Sequence, residues 1–385
     1  MAIEMTSGDI FTPEQLSYHA KVYAGPGAGK THFLVENVKN IIANNPQIVQ
    51  SRARKVLCVT YTNAAVDEIK RRLDKFTDHV EVYTIHGFII EHIIQPFQQD
   101  LRDIIESDFG ITVKSEGKIS SQVEGLGILH GVDKEEIYDF VRQTNPVEFA
   151  NDEFEYSKKA MGDIEVNCSA FAASISNRTT RQIELKAPSK IDGRHVKPIK
   201  KYIWSVVKKL THNEILYFGY RILESNPTAV YSIRVKFPFM LVDEFQDTNP
   251  LQTSLIKLIG QKSTIIGIVG DVAQSIYSFQ GARPTDFKNF SIEGDRELKE
   301  YVINGNRRST ENIVNFCNFL RQSDDEVLQL SQRPYNTAGE KEQAEAKKIH
   351  FLIGNSQIIY NTIQSILNDG GVVLTRAWAA AFDYI

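Results

Sequence analysis

Asp243 and Glu244 close an apolar run in PFMLVDEFQDTNPLQ (Pro238–Gln252), and Gln246 and Asp247 follow at once. Carboxylates at the end of a buried strand are costly unless a cation meets them. A candidate cation stands far upstream in VYAGPGAGKT (Val22–Thr31), where a short apolar strand runs into a glycine-rich turn. The helix expected after the turn carries Leu34, Val38 and Ile41 on one face. A turn of this kind aims backbone N–H groups at phosphate oxygens, and the helix start adds its partial positive charge. Gly25, Pro26, Gly27, Ala28 and Gly29 then form the cradle, and His32 lies in the first helical turn. Lys30 is placed to reach the β- and γ-phosphates, and the Thr31 hydroxyl to hold Mg²⁺. Ala24 occupies the first position of the pattern, where glycine is usual but only a small side chain is required. Asp243 is the expected second holder of Mg²⁺, and Glu244 the general base that polarises the attacking water. An acidic helix start capped by Asn249 and Pro250 accounts for Asp247 but not for Asp243 and Glu244.

The elements that position these groups follow from the spacing. Lys30 and Asp243 lie 213 positions apart, more than adjacent strands of one sheet need. Strands at 55–60 and 80–84 belong to the same core, whereas 89–211 shows little strand alternation and reads as an inserted, mainly helical domain. From Arg178 to Lys209 ten Lys or Arg residues, Lys200, Lys201, Lys208 and Lys209 among them, face only Glu184 and Asp192. Such a stretch is either a solvated surface or a track for a phosphate backbone.

Composition sets the remaining bounds. The 385 residues suffice for two or three domains, with 42% hydrophobic and 24% charged side chains and a net charge of −4. No apolar run reaches the roughly 18–20 residues of a membrane span, and the N-terminus lacks an export signal, so no membrane is expected. Cys58, Cys168 and Cys317 have no paired spacing, which points to a reducing, cytoplasmic setting rather than a disulfide or zinc framework.

With these pieces in order the chain resembles the Rep/UvrD-type superfamily 1 DNA helicases. The blocks that carry the resemblance are TPEQ (Thr12–Gln15), AGPGAGKT (Ala24–Thr31), VTYTNAAVDEIKRRL (Val59–Leu73), YTIHGF (Tyr83–Phe88), VDEFQDTN (Val242–Asn249) and GDVAQSIYSFQGA (Gly270–Ala282). NRRS (Asn306–Ser309) adds a weaker seventh. The resemblance implies an α/β fold: a RecA-like P-loop parallel sheet (1–88 and 212–285), an inserted mainly helical domain (89–211) and the start of a second RecA-like domain (286–385). It gives Gln15 the role of reading adenine, Gln274 that of contacting the γ-phosphate, and Arg308 that of an arginine finger. Arg307 stands where the family usually stacks a Tyr on the base, and its guanidinium plane can do the same. Tyr61, Thr62 and Asn63 resemble one contact to single-stranded DNA, and Thr84, His86 and Phe88 the next. Phe279 resembles an aromatic on which a base stacks.

The implied activity is ATP-dependent translocation along single-stranded DNA, 3′ to 5′, with ATP and Mg²⁺. The family's later blocks have no counterpart after GGVVLTRAW (Gly370–Trp378), so the resemblance covers an N-terminal portion, and a protein partner or the remaining helicase half is expected. Two rival readings stay open. One is a DNA-sensing regulatory ATPase that controls a partner such as a nuclease without unwinding. The other is a small-molecule P-loop kinase, which would leave the DNA motifs unexplained.

Overall fold

The computed structural model describes residues 2–113, 163–179, 183–187, 193–275, 281–321 and 328–347, with isolated positions at 119, 139, 191, 349, 361, 363 and 365. Phe279, Gln280 and the GGVVLTRAW segment lie outside the described residues.

Strands β1 (Ile3–Met5), β2 (His19–Ala24), β3 (Val56–Thr60) and β4 (Val80–Thr84) precede the insertion. Within it, β5 (Glu165–Val166) and β6 (Leu185–Lys186) form a short antiparallel ribbon. The chain then returns through β7 (Phe239–Val242), β8 (Ile265–Gly270) and β9 (Leu298–Ile303). Seven strands make one parallel sheet in the order β1-β9-β2-β8-β7-β3-β4. Beyond it, β10 (Gly305–Asn306) and β11 (Leu330–Ser331) pair in parallel as a separate piece.

A parallel sheet has helices on both faces, so its strands are apolar on both sides and alternate between two cores. In β3, Val56 and Cys58 join the core beneath the helix Lys30–Asn44, while Leu57 and Val59 join the opposite core. In β7, Phe239 and Leu241 go one way and Met240 and Val242 the other. On the first face Phe33, Leu34, Val38 and Ile41 meet Val66, Ile69 and Leu73 of the helix Asn63–Leu73. The second face is covered by the helices His212–Ser225 and Pro250–Gly260.

Two expectations are corrected here. β9 pairs with both β1 and β2, so the strand at 298–303 lies in the first sheet and not beyond a boundary at 285. All six residues of β2 pair with β9 and are buried, which fixes β9 in this sheet. The second correction concerns the basic stretch. Lys200 has a fully buried side chain, ion-paired to the equally buried Glu214 at 2.6 Å. Glu214 also accepts from Trp204 Nε1 (3.2 Å) and from the Thr211 N–H (3.0 Å) that caps the helix His212–Ser225. Lys200 therefore ties the inserted helices to the core and tracks no backbone, whereas Lys201 is exposed. Removing one partner of a buried pair strands the other charge at a cost of about 3–5 kcal/mol. Lys200→Ala is expected to lose stability on that scale in denaturant unfolding and Lys201→Ala less than about 0.5 kcal/mol. Equal effects would remove the structural role of Lys200.

Candidate active site

The carboxyl ends of β2, β7 and β8 converge, and each delivers one part of the site. β2 runs into the loop 25–29, where Gly27 (φ 69°) and Gly29 (φ 86°) take left-handed backbone that costs other residues roughly 1–2 kcal/mol. Gly29 caps the helix Lys30–Asn44, so its free N–H groups face the loop. Ala24 is the last residue of β2, paired with Ile303 and 1% exposed. The usual glycine is dispensable there because the turn has not yet begun.

Asp243 follows β7 directly, its N–H donating to the carbonyl of Val59 at 2.9 Å. Glu244 takes a left-handed φ of 49°, strain that concentrates at functional positions. The turn aims its carboxylate back at Lys30, with Oε2 3.2 Å from Nζ. Lys30 is thus the cation that the acidic pair requires. Lys30 Nζ also donates to Gln274 Oε1 at 3.4 Å, which brings the turn after β8 to the same point. Burial and the Glu244 charge push the Asp243 carboxyl up to about 7, with Lys30 opposing.

A cavity of about 200 Å³ lies beside Lys30, Glu244 and Gln274, with Asp243 buried behind its lining. Gly25, Pro26, Gly27, Gly29, Lys30, Thr31, His32, Glu244, Gln274 and Arg308 line it, as does Arg72 from the helix Asn63–Leu73. Three expected nucleotide contacts do not line it. Ala28 is fully buried and faces the core. Gln15 closes its own turn, its Oε1 accepting from the Thr12 N–H at 2.8 Å while its N–H donates to Thr12 Oγ1 at 3.2 Å. Arg307 is exposed and donates from Nη1 to Ser7 Oγ at 3.2 Å.

The donor set fits Mg²⁺. Among the described residues no group of three His, Cys, Asp or Glu could hold a metal by itself. Mg²⁺ keeps its waters and takes one or two protein oxygens plus phosphate oxygens. Thr31 and Asp243 are oxygen donors of that kind, and the buried Thr60 hydroxyl at the end of β3 has no hydrogen-bond partner.

The candidate DNA contacts fall at neighbouring strand ends. Thr60 of β3 is in register with Thr84 of β4, so Tyr61, Thr62 and Asn63 emerge beside Thr84. Thr62 and Asn63 are exposed, and Tyr61 is half-buried. The two threonines accept hydrogen bonds from Ala65 and Gly87 N–H groups as helix caps. His86 packs edge-on against His212 with ring centres 4.8 Å apart. Burial lowers its pKa to about 3, so it carries no charge near neutrality. Phe88 is fully buried beside Phe237 and belongs to the core rather than to a surface that meets DNA.

Sequence reasoning missed four residues. Gln246, 1% exposed, donates from Nε2 to Glu244 Oε2 (2.9 Å) while its Oε1 accepts the Asp271 N–H (2.9 Å), so one amide joins the ends of β7 and β8. Its place in the polar echo after Glu244 was the available signal. Asn306 donates to the Pro26 carbonyl at 2.7 Å and accepts from the N–H groups of Arg308 and Ser309, presenting the expected finger to the loop. It stands in the NRRS block and Arg72 in a basic triplet, but nothing in sequence marked Arg321.

A glycine-rich loop between strand and helix, answered by a strand-end acidic pair across a parallel sheet, defines a P-loop nucleotide-binding fold of the RecA-like kind. Within that class the chain belongs to the UvrD/REP helicase family, whose N-terminal domain model matches residues 12–294. Similar proteins include an ATP-dependent DNA helicase PcrA from Staphylococcus aureus, 28% identical over 337 residues, covering 83% of this chain and 40% of that protein. An ATP-dependent DNA helicase Rep from Buchnera aphidicola is 25% identical over 360 residues, 90% of this chain and 49% of that one. The Gabija protein GajB of Bacillus cereus is 27% identical over 339 residues, 80% and 47% respectively. The chain thus spans half or less of the length of these relatives.

Proposed function

We propose that the chain carries the ATP-hydrolysing motor of a DNA helicase that moves 3′ to 5′ along single-stranded DNA. The observation that carries the reading is the convergence of Lys30, Glu244, Gln274 and Arg308 on one cavity. Lys30 and the loop N–H groups hold the β- and γ-phosphates, and Gln274 contacts the γ-phosphate. Thr31 and Asp243 hold Mg²⁺, which neutralises phosphate charge when bound. Glu244 takes a proton from the attacking water as the Pγ–O bond to ADP breaks, and Arg308 stabilises the charge that develops. The adenine side falls to Gln15 and Arg307, each after a side-chain turn away from its present partner.

Single-stranded DNA is read as crossing the ends of β3 and β4 over Tyr61, Thr62, Asn63 and Thr84, with His86 at the edge and Phe279 as the stacking platform. Phe279→Ala is expected to weaken single-stranded DNA binding about 5- to 150-fold, the equivalent of 1–3 kcal/mol, with no change in salt slope. Neutralising Lys201, Lys208 and Lys209 together should instead flatten the slope. A change of about one unit in the Phe279→Ala slope would mark an ionic role and sink the stacking assignment.

The division into a first motor domain (1–88 and 212–285, extended to include β9), an inserted domain (89–211) and a second motor domain fits this reading. Phe319, Leu320 and Leu330 are 59–65% exposed, apolar side chains that a further domain or a protein partner could cover. No helix among the described residues is long and apolar enough to cross a membrane; a cytoplasmic setting accords with DNA as substrate. The deciding experiment is DNA-stimulated ATP turnover together with strand displacement on 3′-tailed and 5′-tailed duplexes. Turnover without displacement on either, with the remaining helicase half or the protein partner supplied, would favour the regulatory ATPase instead.

A further inference from the structure

Asp271 begins the turn after β8 and is 5% exposed. Its Oδ2 accepts from two side chains of different origin, Gln274 Nε2 at 2.6 Å and Arg321 Nη2 at 2.5 Å. Its Oδ1 accepts the Ala273 N–H at 3.1 Å, and its own N–H is held by Gln246. The carboxylate is therefore fixed on every side, and it fixes Gln274 in turn. With Nε2 anchored on Asp271, the amide oxygen of Gln274 is the end that faces Lys30.

Arg321 lies on the helix Glu311–Arg321, outside the seven-stranded sheet. An arginine is almost never fully buried unless its charge is paired, and this one is 9% exposed and ion-paired to Asp271. The same helix touches the phosphate loop by a second line. Asn318 and Gln329 exchange hydrogen bonds, and Gln329 Nε2 donates to the Pro26 carbonyl at 3.0 Å. One helix thus reaches the turn after β8 directly through Arg321 and the loop 25–29 indirectly, through Asn318 and Gln329. Without the guanidinium, Asp271 would be a buried anion balanced by neutral donors, and it would no longer hold Gln274 in this orientation.

We propose that Arg321 is a positioning residue: through Asp271 it sets the amide of Gln274 for the γ-phosphate, and so couples the helix Glu311–Arg321 to ATP hydrolysis. The proposal rests on the reading of Gln274 as the γ-phosphate contact. Its test is DNA-stimulated ATPase kinetics and fluorescent ADP binding on the full chain for Arg321→Ala, Arg321→Lys, Asp271→Asn and Gln274→Ala. Arg321→Ala should lower kcat about tenfold or more, with KM and ADP affinity within about threefold of wild type. Arg321→Lys, which keeps the charge, should recover part of the loss. Asp271→Asn added to Arg321→Ala should cost little more, because both act along one path. Should the alanine variant not fold, Arg321→Gln carries the same comparison with a donor but no charge.

Near-normal kcat in Arg321→Ala, with Gln274→Ala crippled, would overturn the proposal alone. So would a parallel loss of ADP affinity, kcat and melting temperature that lysine does not rescue, which is the pattern of a merely structural pair. Normal turnover in Gln274→Ala would overturn the reading of Gln274 and the proposal with it.

Discussion

Glu244→Gln is expected to bind ATP at least as tightly as the wild type and to hydrolyse it roughly 10²–10⁴-fold more slowly, the range that a positioned general base supplies. The substitution keeps the side chain's size and its place at the end of β7 but removes the lone pair that takes the proton. Binding survives because the loop N–H groups, Lys30, Thr31 and Asp243 are untouched. It has reason to tighten, because Glu244 pairs with Lys30 at 3.2 Å, and the variant releases that cation for phosphate. Gln246 Nε2, which now donates to the carboxylate at 2.9 Å, would still find an amide oxygen there. Single-turnover hydrolysis alongside equilibrium nucleotide titration separates the two effects. Wild-type turnover in this variant would move the base to another residue.

Lys30→Ala is expected to lose both binding and turnover. Lys30 lies buried between Glu244 and Gln274 and is the cation that offsets two adjacent carboxylates. Its removal leaves Asp243 and Glu244 to repel each other. The Asp243 carboxyl, already pushed up by burial and by the Glu244 charge, would be pushed up further. Lost charge-assisted contacts to phosphate should cost about 2–5 kcal/mol, or roughly 30-fold to several thousand-fold in ATP affinity. Calorimetric titration with a slowly hydrolysed ATP analogue measures this directly. The contrast with Glu244→Gln is the sharper test, since one variant loses its grip on nucleotide and the other only the chemistry. ATP affinity within threefold of wild type in Lys30→Ala would detach Lys30 from the phosphates.

Much of the candidate site's geometry was legible in the sequence because local chemistry dictates it. Left-handed glycines, a lysine at a helix start and carboxylates at the end of an apolar strand have few uses in combination, and the meeting of Lys30 with the acidic strand end could be expected from their neighbours alone. The strands at 55–60 and 80–84 were legible for the same reason: an apolar run bounded by polar turns has one economical fate. What the sequence left open was every decision made by residues distant along the chain. Lys200 reads as surface until Glu214 is found beside it in the core, and Phe88 reads as a DNA contact until it is found buried against Phe237. β9 reads as the start of a second domain until its hydrogen bonds to β1 and β2 are seen. Arg321, 50 positions from Asp271, carries no local mark at all. Burial and pairing are properties of the whole packed chain, because whether a charge meets solvent or a partner is settled only when distant segments come together; the sequence by itself determined the loop, the helix start and the strand end that build the candidate site, and the tertiary structure alone decided which charges meet there.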